Sequence, residues 1–144
     1  MKYLSVIFIL LIMGSTLQSC NENIGKITKA EKSVVYPGVE QGNIYIRYTA
    51  HIHLNKPVLL KSVEISDGKS ALLLSKFSLV REKDGKIIDV HKEIPKGDYF
   101  FKAEILENIA PKSDKDKLIV QFIYKDQSFI LKTPVKNAPP IMFK

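Results

Sequence analysis

The stretch Asn43-Ile44-Tyr45-Ile46-Arg47-Tyr48-Thr49-Ala50-His51-Ile52-His53-Leu54 decides the fold. Ile44, Ile46, Tyr48, Ala50, Ile52 and Leu54 alternate without interruption with Tyr45, Arg47, Thr49, His51 and His53. Successive side chains of an extended chain point to opposite sides, so a period of two marks a β-strand that buries one face and wets the other. Gly42 before the run and Asn55-Lys56-Pro57 after it are turn formers that bound it.

The same period recurs outward. Residues 58–65 read as a strand closed by Ser66-Asp67-Gly68-Lys69, and residues 72–74 fit either a short strand or one helical turn. Phe77, Leu79 and Arg81 alternate with Ser78, Val80 and Glu82, and Asp84-Gly85 then predicts a hairpin onto a strand over residues 87–94. Tyr99, Phe101, Ala103 and Ile105 form one apolar face, and Leu118, Val120, Phe122 and Tyr124 another. Residues 107–117 form a charged loop whose carboxylates sit beside lysines in solvated turns, and Lys125-Asp126-Gln127 turns into residues 128–133. Pro134 begins a tail in which Pro139-Pro140 precede Ile141-Met142-Phe143, a tripeptide fit to cover core or to dock a partner. Turn signals about every ten residues, with no convincing helix, predict an all-β antiparallel β-sandwich, immunoglobulin-like, of seven or eight strands. A small up-and-down β-barrel is the alternative, because alternation alone does not separate a closed sheet from two packed ones.

Ile94-Pro95-Lys96-Gly97-Asp98-Tyr99-Phe100-Phe101-Lys102-Ala103-Glu104 resembles the Pro-x-Gly-x-Tyr-x-Phe start of a late strand in immunoglobulin-like and transthyretin-like bacterial domains. With one cysteine and no tryptophan, the chain has no Cys…Trp…Cys framework, which excludes a true antibody-type domain.

The leader sets the address. Met1-Lys2 is a short positive region, Tyr3 to Met13 is apolar, and Gly14-Ser15-Thr16 ends the run, the layout of a secretory signal peptide. The run is shorter than the ~20 residues that cross a bilayer. Leu17-Gln18-Ser19-Cys20 resembles the lipobox of bacterial lipoproteins, in which a peptidase cuts before an acylated cysteine. That resemblance implies removal of residues 1–19, lipidation at Cys20 and an address in the bacterial cell envelope, with the outer membrane as the expected site. An exported protein with an odd thiol must pair it between chains, leave it reactive or modify it, and modification accounts for the single cysteine. The sequence then divides into residues 20–33, a lipidated cysteine and flexible tether averaging about 20 Å end to end, and residues 34–144, the sandwich domain with its tail.

Lys2 is the one charged residue of the leader, so 22 basic and 15 acidic side chains leave a mature excess of +6. That excess is lysine, with Arg47 and Arg81 the two arginines, and lysine is poorly suited to bidentate base-edge or phosphate recognition. Nucleic acid is therefore excluded as a partner, and a solvated, edge-protecting surface is the expected role of the lysines.

His51 and His53 project from the same wet strand face, the spacing of two metal ligands, but a metal site needs further ligands and His91 lies on another predicted strand. Asp89 and His91 share a predicted face without a serine to complete a triad. The chain has no Gly-x-Ser-x-Gly elbow, His-Glu-x-x-His pair or Gly-rich phosphate loop, so neither a catalytic set, a metal nor a cofactor is expected. Tyr45, Arg47, His51 and His53 are the candidate partner-binding residues, since Tyr and Arg are enriched at binding hot spots. The expectation is a non-enzymatic, lipid-anchored binding or assembly module that holds an envelope protein or glycan. The alternatives are a small-ligand carrier with a barrel interior and an inhibitor of a host hydrolase, although a +6 domain repels the usual basic lysozymes.

Overall fold

A computed structural model describes residues 23–40 and 42–144. The leader and Cys20, the expected signal peptide and lipidation site, lie outside the described residues. Ten strands follow in order: β1 (Gly25–Tyr36), β2 (Tyr45–Leu54), β3 (Leu59–Ser66), β4 (Ala71–Leu73), β5 (Ser78–Arg81), β6 (Gly97–Leu106), β7 (Lys117–Tyr124), β8 (Gln127–Pro134), β9 (Lys136–Asn137) and β10 (Ile141–Met142).

They form two sheets. The first has the order β10-β1-β2-β6-β5, with β9 also on β1, and the second β4-β3-β7-β8. Apart from the parallel pairs that β9 and β10 make with β1, every ladder is antiparallel. The orders β1-β2-β6-β5 and β3-β7-β8 are the ABED and CFG orders of the immunoglobulin fold, with β4 added beside β3. The sheets are separate, so the fold is a sandwich and not the alternative closed barrel. The space between them is packed by Tyr48, Ala50, Ile52 and Leu54 of β2, Tyr99, Phe101 and Ala103 of β6, Val63 and Ile65 of β3, and Leu118, Val120 and Phe122 of β7. Ile46, at the end of β2, is only half-buried.

Three expectations are corrected. Residues 25–33 are strand rather than tether: β1 starts at Gly25, with Ile24 just 2% exposed. A bulge between Thr28 and Glu31 disturbs its ladder with β2; there Lys29 takes a positive φ of 49° and Ala30 turns into the core. That bulge breaks the period of two and hides the strand. Gly25 is required at the start, because a Cβ there would stand 2.1 Å from the His53 carbonyl oxygen. Second, residues 87–94 form no strand; isolated bridges join Ile87 to Val80 and Ile94 to Val58. The Asp84-Gly85 turn does form, with Arg81 N donating to the Lys86 carbonyl over 2.8 Å. The chain then leaves β5 and travels toward Val58 at the start of the second sheet, so it cannot continue a ladder on β5. Asp89 and His91 therefore share a turn, in which the Asp89 carboxylate accepts from the His91 N–H at 3.0 Å.

The third correction is Asp116, which is no solvated turn residue. It is 1% exposed, and its Oδ2 accepts from Lys32 Nζ at 2.6 Å and from the Tyr48 hydroxyl at 3.4 Å. Lys32 also donates to the Ser113 carbonyl at 2.6 Å, and Val135 N donates to the Asp116 carbonyl at 2.8 Å. Burial first, then the charge and hydrogen bond of Asp116, push the Tyr48 hydroxyl above its ordinary range and keep it a neutral donor.

The Pro-x-Gly-x-Tyr segment has a local cause. Gly97 takes a φ of 148°, open to glycine and strained for other residues, and the chain turns so that the Tyr99 hydroxyl donates to the Pro95 carbonyl at 2.6 Å. The turn thereby delivers Tyr99 and Phe101 inward.

Asp116→Ala leaves a largely buried ammonium without its counter-charge and is expected to cost about 3 to 5 kcal/mol in urea denaturation. The double change Lys32→Met with Asp116→Leu removes both charges and is expected to recover most of that loss. Equal losses in the two proteins would show that packing, not charge pairing, sets the cost.

Candidate functional site

The alternation of β2 places its two faces as the sequence requires. Tyr45, Arg47, Thr49, His51 and His53 lie on the outer face of the first sheet, opposite Leu106, Glu104, Lys102, Phe100 and Asp98 of β6 in register. Their ends stand roughly 27 Å apart at ~3.4 Å per residue. The row divides into two clusters.

At one end Arg47 Nε donates to Glu104 Oε1 at 3.2 Å, and its NH2 group approaches the same oxygen at 3.1 Å and the Tyr45 hydroxyl at 3.4 Å. The guanidinium carbon lies 6.0 Å from the centre of the Tyr45 ring. Glu104 across the ladder and Tyr45 on the same strand thus hold Arg47 in one pose. Lys102, 3.6 Å from Glu104, extends the charge row toward Thr49.

At the other end His51 Nδ1 pairs with Glu82, and the His51 ring meets Phe100 edge-on with centroids 5.4 Å apart. His53 Nδ1 donates to Asp98 Oδ1 at 2.6 Å and its Nε2 to Asn55 Oδ1 at 2.8 Å. Asn55 in turn donates through Nδ2 to the Asn23 carbonyl at 3.4 Å, which fixes its oxygen toward His53. Two acceptors call for protons on both ring nitrogens. The Asp98 hydrogen bond, seconded by Asn55, accordingly raises the His53 pKa above the ordinary imidazole value. Thr28, Lys29, His51, His53, Glu82 and Asp98 line a shallow groove of about 300 Å³ between these pairs.

The structure thus brings Tyr45 together with Arg47, and sets His51 beside His53, but separates the two couples. His91 borders a different depression with Leu60, Leu73 and Phe77, away from both histidines. Among the described residues no group of three histidine, cysteine or carboxylate side chains could hold a metal ion.

A further site was not expected from the sequence. A cleft of about 390 Å³ opens between β1, the loop before β7 and β9, walled by Val34, Ile46, Ala110 and Pro111 and rimmed by Lys32 and Asn137. Ile46 is half-buried because it faces this opening. Its walls come from four distant segments, and the alternation of Ile46 with Arg47 was the one available signal. The cleft offers room for an apolar side chain or small apolar group beside polar partners.

No family, curated protein or solved structure matches the chain.

The His53 pair gives a pH test. Because the folded-state pKa is raised, its contribution is complete below the unfolded value near 6.5 and is lost as pH rises through the folded pKa. In an NMR titration His53 is expected to titrate above the ordinary imidazole value, and Asp98→Asn to bring its midpoint back down. An unmoved midpoint in Asp98→Asn would remove the pair as the cause.

Proposed function

We propose that this chain is an exported lipoprotein, anchored through acylated Cys20 to a membrane of the bacterial envelope, expected to be the outer membrane. We propose further that it is a non-enzymatic binding or assembly module. Its contact surface is the outer face of the β1-β2-β6-β5 sheet, centred on Tyr45 and Arg47. Its partner is an envelope protein or glycan.

The observation that carries the binding reading is the fixed pose of Arg47. A long side chain that is already held by Glu104 and Tyr45 loses less rotamer freedom when a partner docks, and that loss is a main cost of association, on the order of 0.5 to 1.5 kcal/mol per side chain. Tyr and Arg supply the large, partly apolar surfaces that binding centres favour, whereas lysine, which dominates the rest of this surface, is depleted there. The histidines and nearby carboxylates serve as cross-strand ties in His51–Glu82 and His53–Asp98, which supports a scaffold rather than an acid/base pair. The address rests on the leader and on Cys20 as the single thiol.

Two measurements test the two halves. Cys20→Ala is expected to abolish partitioning of the labelled protein into detergent and to leave precursor or soluble protein; unchanged partitioning would refute the anchor. In cells, the double substitution Tyr45→Ser with Arg47→Ser is expected to reduce crosslinked partner at least about tenfold, the effect of ~1.4 kcal/mol, with little change in thermal midpoint. Unchanged capture by the folded, anchored double mutant would move the contact to the cleft beside Ile46 or to the Ile141-Met142-Phe143 segment.

A further inference from the structure

Where the fold begins fixes how an anchored domain sits. Ile24 is buried, its carbonyl accepts from Asn55 N at 2.8 Å, and Gly25 N donates to the Asn23 side chain at 3.1 Å. The chain is therefore part of the sandwich from Asn23 onward. Three residue steps separate Asn23 from Cys20, and at ~3.3–3.6 Å per residue they span no more than about 11 Å in any conformation. The ten residues of β2 alone extend the domain roughly 34 Å along its strands.

The start of β1 also identifies one pole. Gly25 pairs with Leu54, and Leu54 with Gly97, so the turn at 55–57 and the turn before Gly97 lie there. Arg81 pairs with Tyr99 and Glu82 N donates to the Asp98 carbonyl, which brings in the turn at 82–86. In the second sheet Leu59 pairs with Ile123, which adds the turn at 125–126. These turns carry Lys56, Lys83, Lys86, Lys96 and Lys125, and among the described residues none of the five joins an ion pair. Of the carboxylates in and beside these turns, Glu82 pairs with His51, Asp84 with Arg81 at 3.3 Å and Asp98 with His53, whereas Asp126 joins no ion pair among the described residues. The five ammonium groups outnumber the unpaired carboxylates of these turns and form a field suited to phosphate headgroups.

We infer that this pole is a lipid-contact surface: it rests on the anionic headgroups of the bilayer that holds Cys20, while the opposite pole, with the Tyr45 end of β2 and the C-terminal segment, faces away. The inference rests on the anchor reading above.

Because Cys20 is the single cysteine and is acylated, a second cysteine gives a unique label. Gln127→Cys and Lys83→Cys place a fluorophore at the first pole, and Asn43→Cys and Lys69→Cys at the other. The lipidated full chain is inserted into nanodiscs of phosphatidylethanolamine and phosphatidylglycerol that contain a headgroup-linked quencher. Quenching several-fold stronger at the first pole is expected. Equal quenching at both poles, as for a domain lying on its side, or quenching at neither in discs that carry the protein, overturns the inference. Failure of the protein to enter the discs is distinct from either and would refute the anchor itself. Changing Lys56, Lys83, Lys86, Lys96 and Lys125 to Gln with the Gln127→Cys and Asn43→Cys labels is expected to reduce the contrast between poles; an undiminished contrast overturns the role of the lysines.

Discussion

The pair between Lys32 and Asp116 is the constraint on which the arrangement of the two sheets depends. A buried ion pair stabilises little beyond what apolar side chains of similar volume would, because desolvation cancels much of the attraction. What it supplies is position. Lys32 belongs to β1 and Asp116 to the loop that leads into β7, so the 2.6 Å contact ties the outer strand of one sheet to the second sheet. Tyr48 adds β2 to the same carboxylate. The Asp116 backbone acts too: its carbonyl receives Val135 N, just where the chain passes from β8 to β9. From there β9 and β10 run along the free edge of β1, which would otherwise expose unpaired N–H and C=O groups to a neighbouring chain. Pro139-Pro140 interrupt that cover, and the pairing resumes at Ile141 because Val35 and Tyr36 still have their outer edge free.

With no second cysteine, a disulfide between sheets is not available to this chain. The Lys32–Asp116 pair does part of that work by joining β1 to the loop before β7, whereas the Tyr99 hydrogen bond to Pro95 fixes the local entry to β6.

How much of this was legible in the residues follows from what each signal measures. The alternation in β2 and β6 was readable because both strands lie inside a sheet with one face buried and one wet, so hydropathy and geometry coincide over ten residues each. In β1 they part company. The bulge after Thr28 shifts the facing residues, Ala30 is the small apolar residue turned inward, and Lys32 points into the core as the partner of Asp116. A lysine at a core-facing position reads as loop, and its meaning depends on a carboxylate far along the chain. Asp116 was opaque for the same reason, since flanking lysines give it the signature of a solvated turn. Asp84-Gly85 did specify a turn, but a turn signal is local and does not determine whether the chain beyond it pairs. The outer-face residues were placed correctly, whereas their partners Glu82, Phe100 and Glu104 required the register between strands.

That register also ranks the two clusters of the outer face. The His51–Glu82 and His53–Asp98 pairs are built from side chains that are substantially exposed, with both members of each in contact with solvent. Exposed pairs are screened at physiological salt, where the Debye length is about 8 Å, and they contribute little rigidity. The Arg47 side chain is 22% exposed, lies against the Tyr45 ring, and reaches Glu104 through two nitrogens, so its geometry is less open to exchange with water and ions. This face presents a fixed cation with an aromatic neighbour at one end and a salt-sensitive pair of imidazoles at the other. The first arrangement is suited to a persistent contact. The second is suited to local adjustment beside the strand start, because Asn23, Asn55, His53 and Asp98 form one hydrogen-bonded chain from the beginning of the fold to the start of β6. On the proposed anchoring at Cys20, the ordered end of this face is the one farthest from the attachment, and docking there would leave the joint at Asn23 undisturbed.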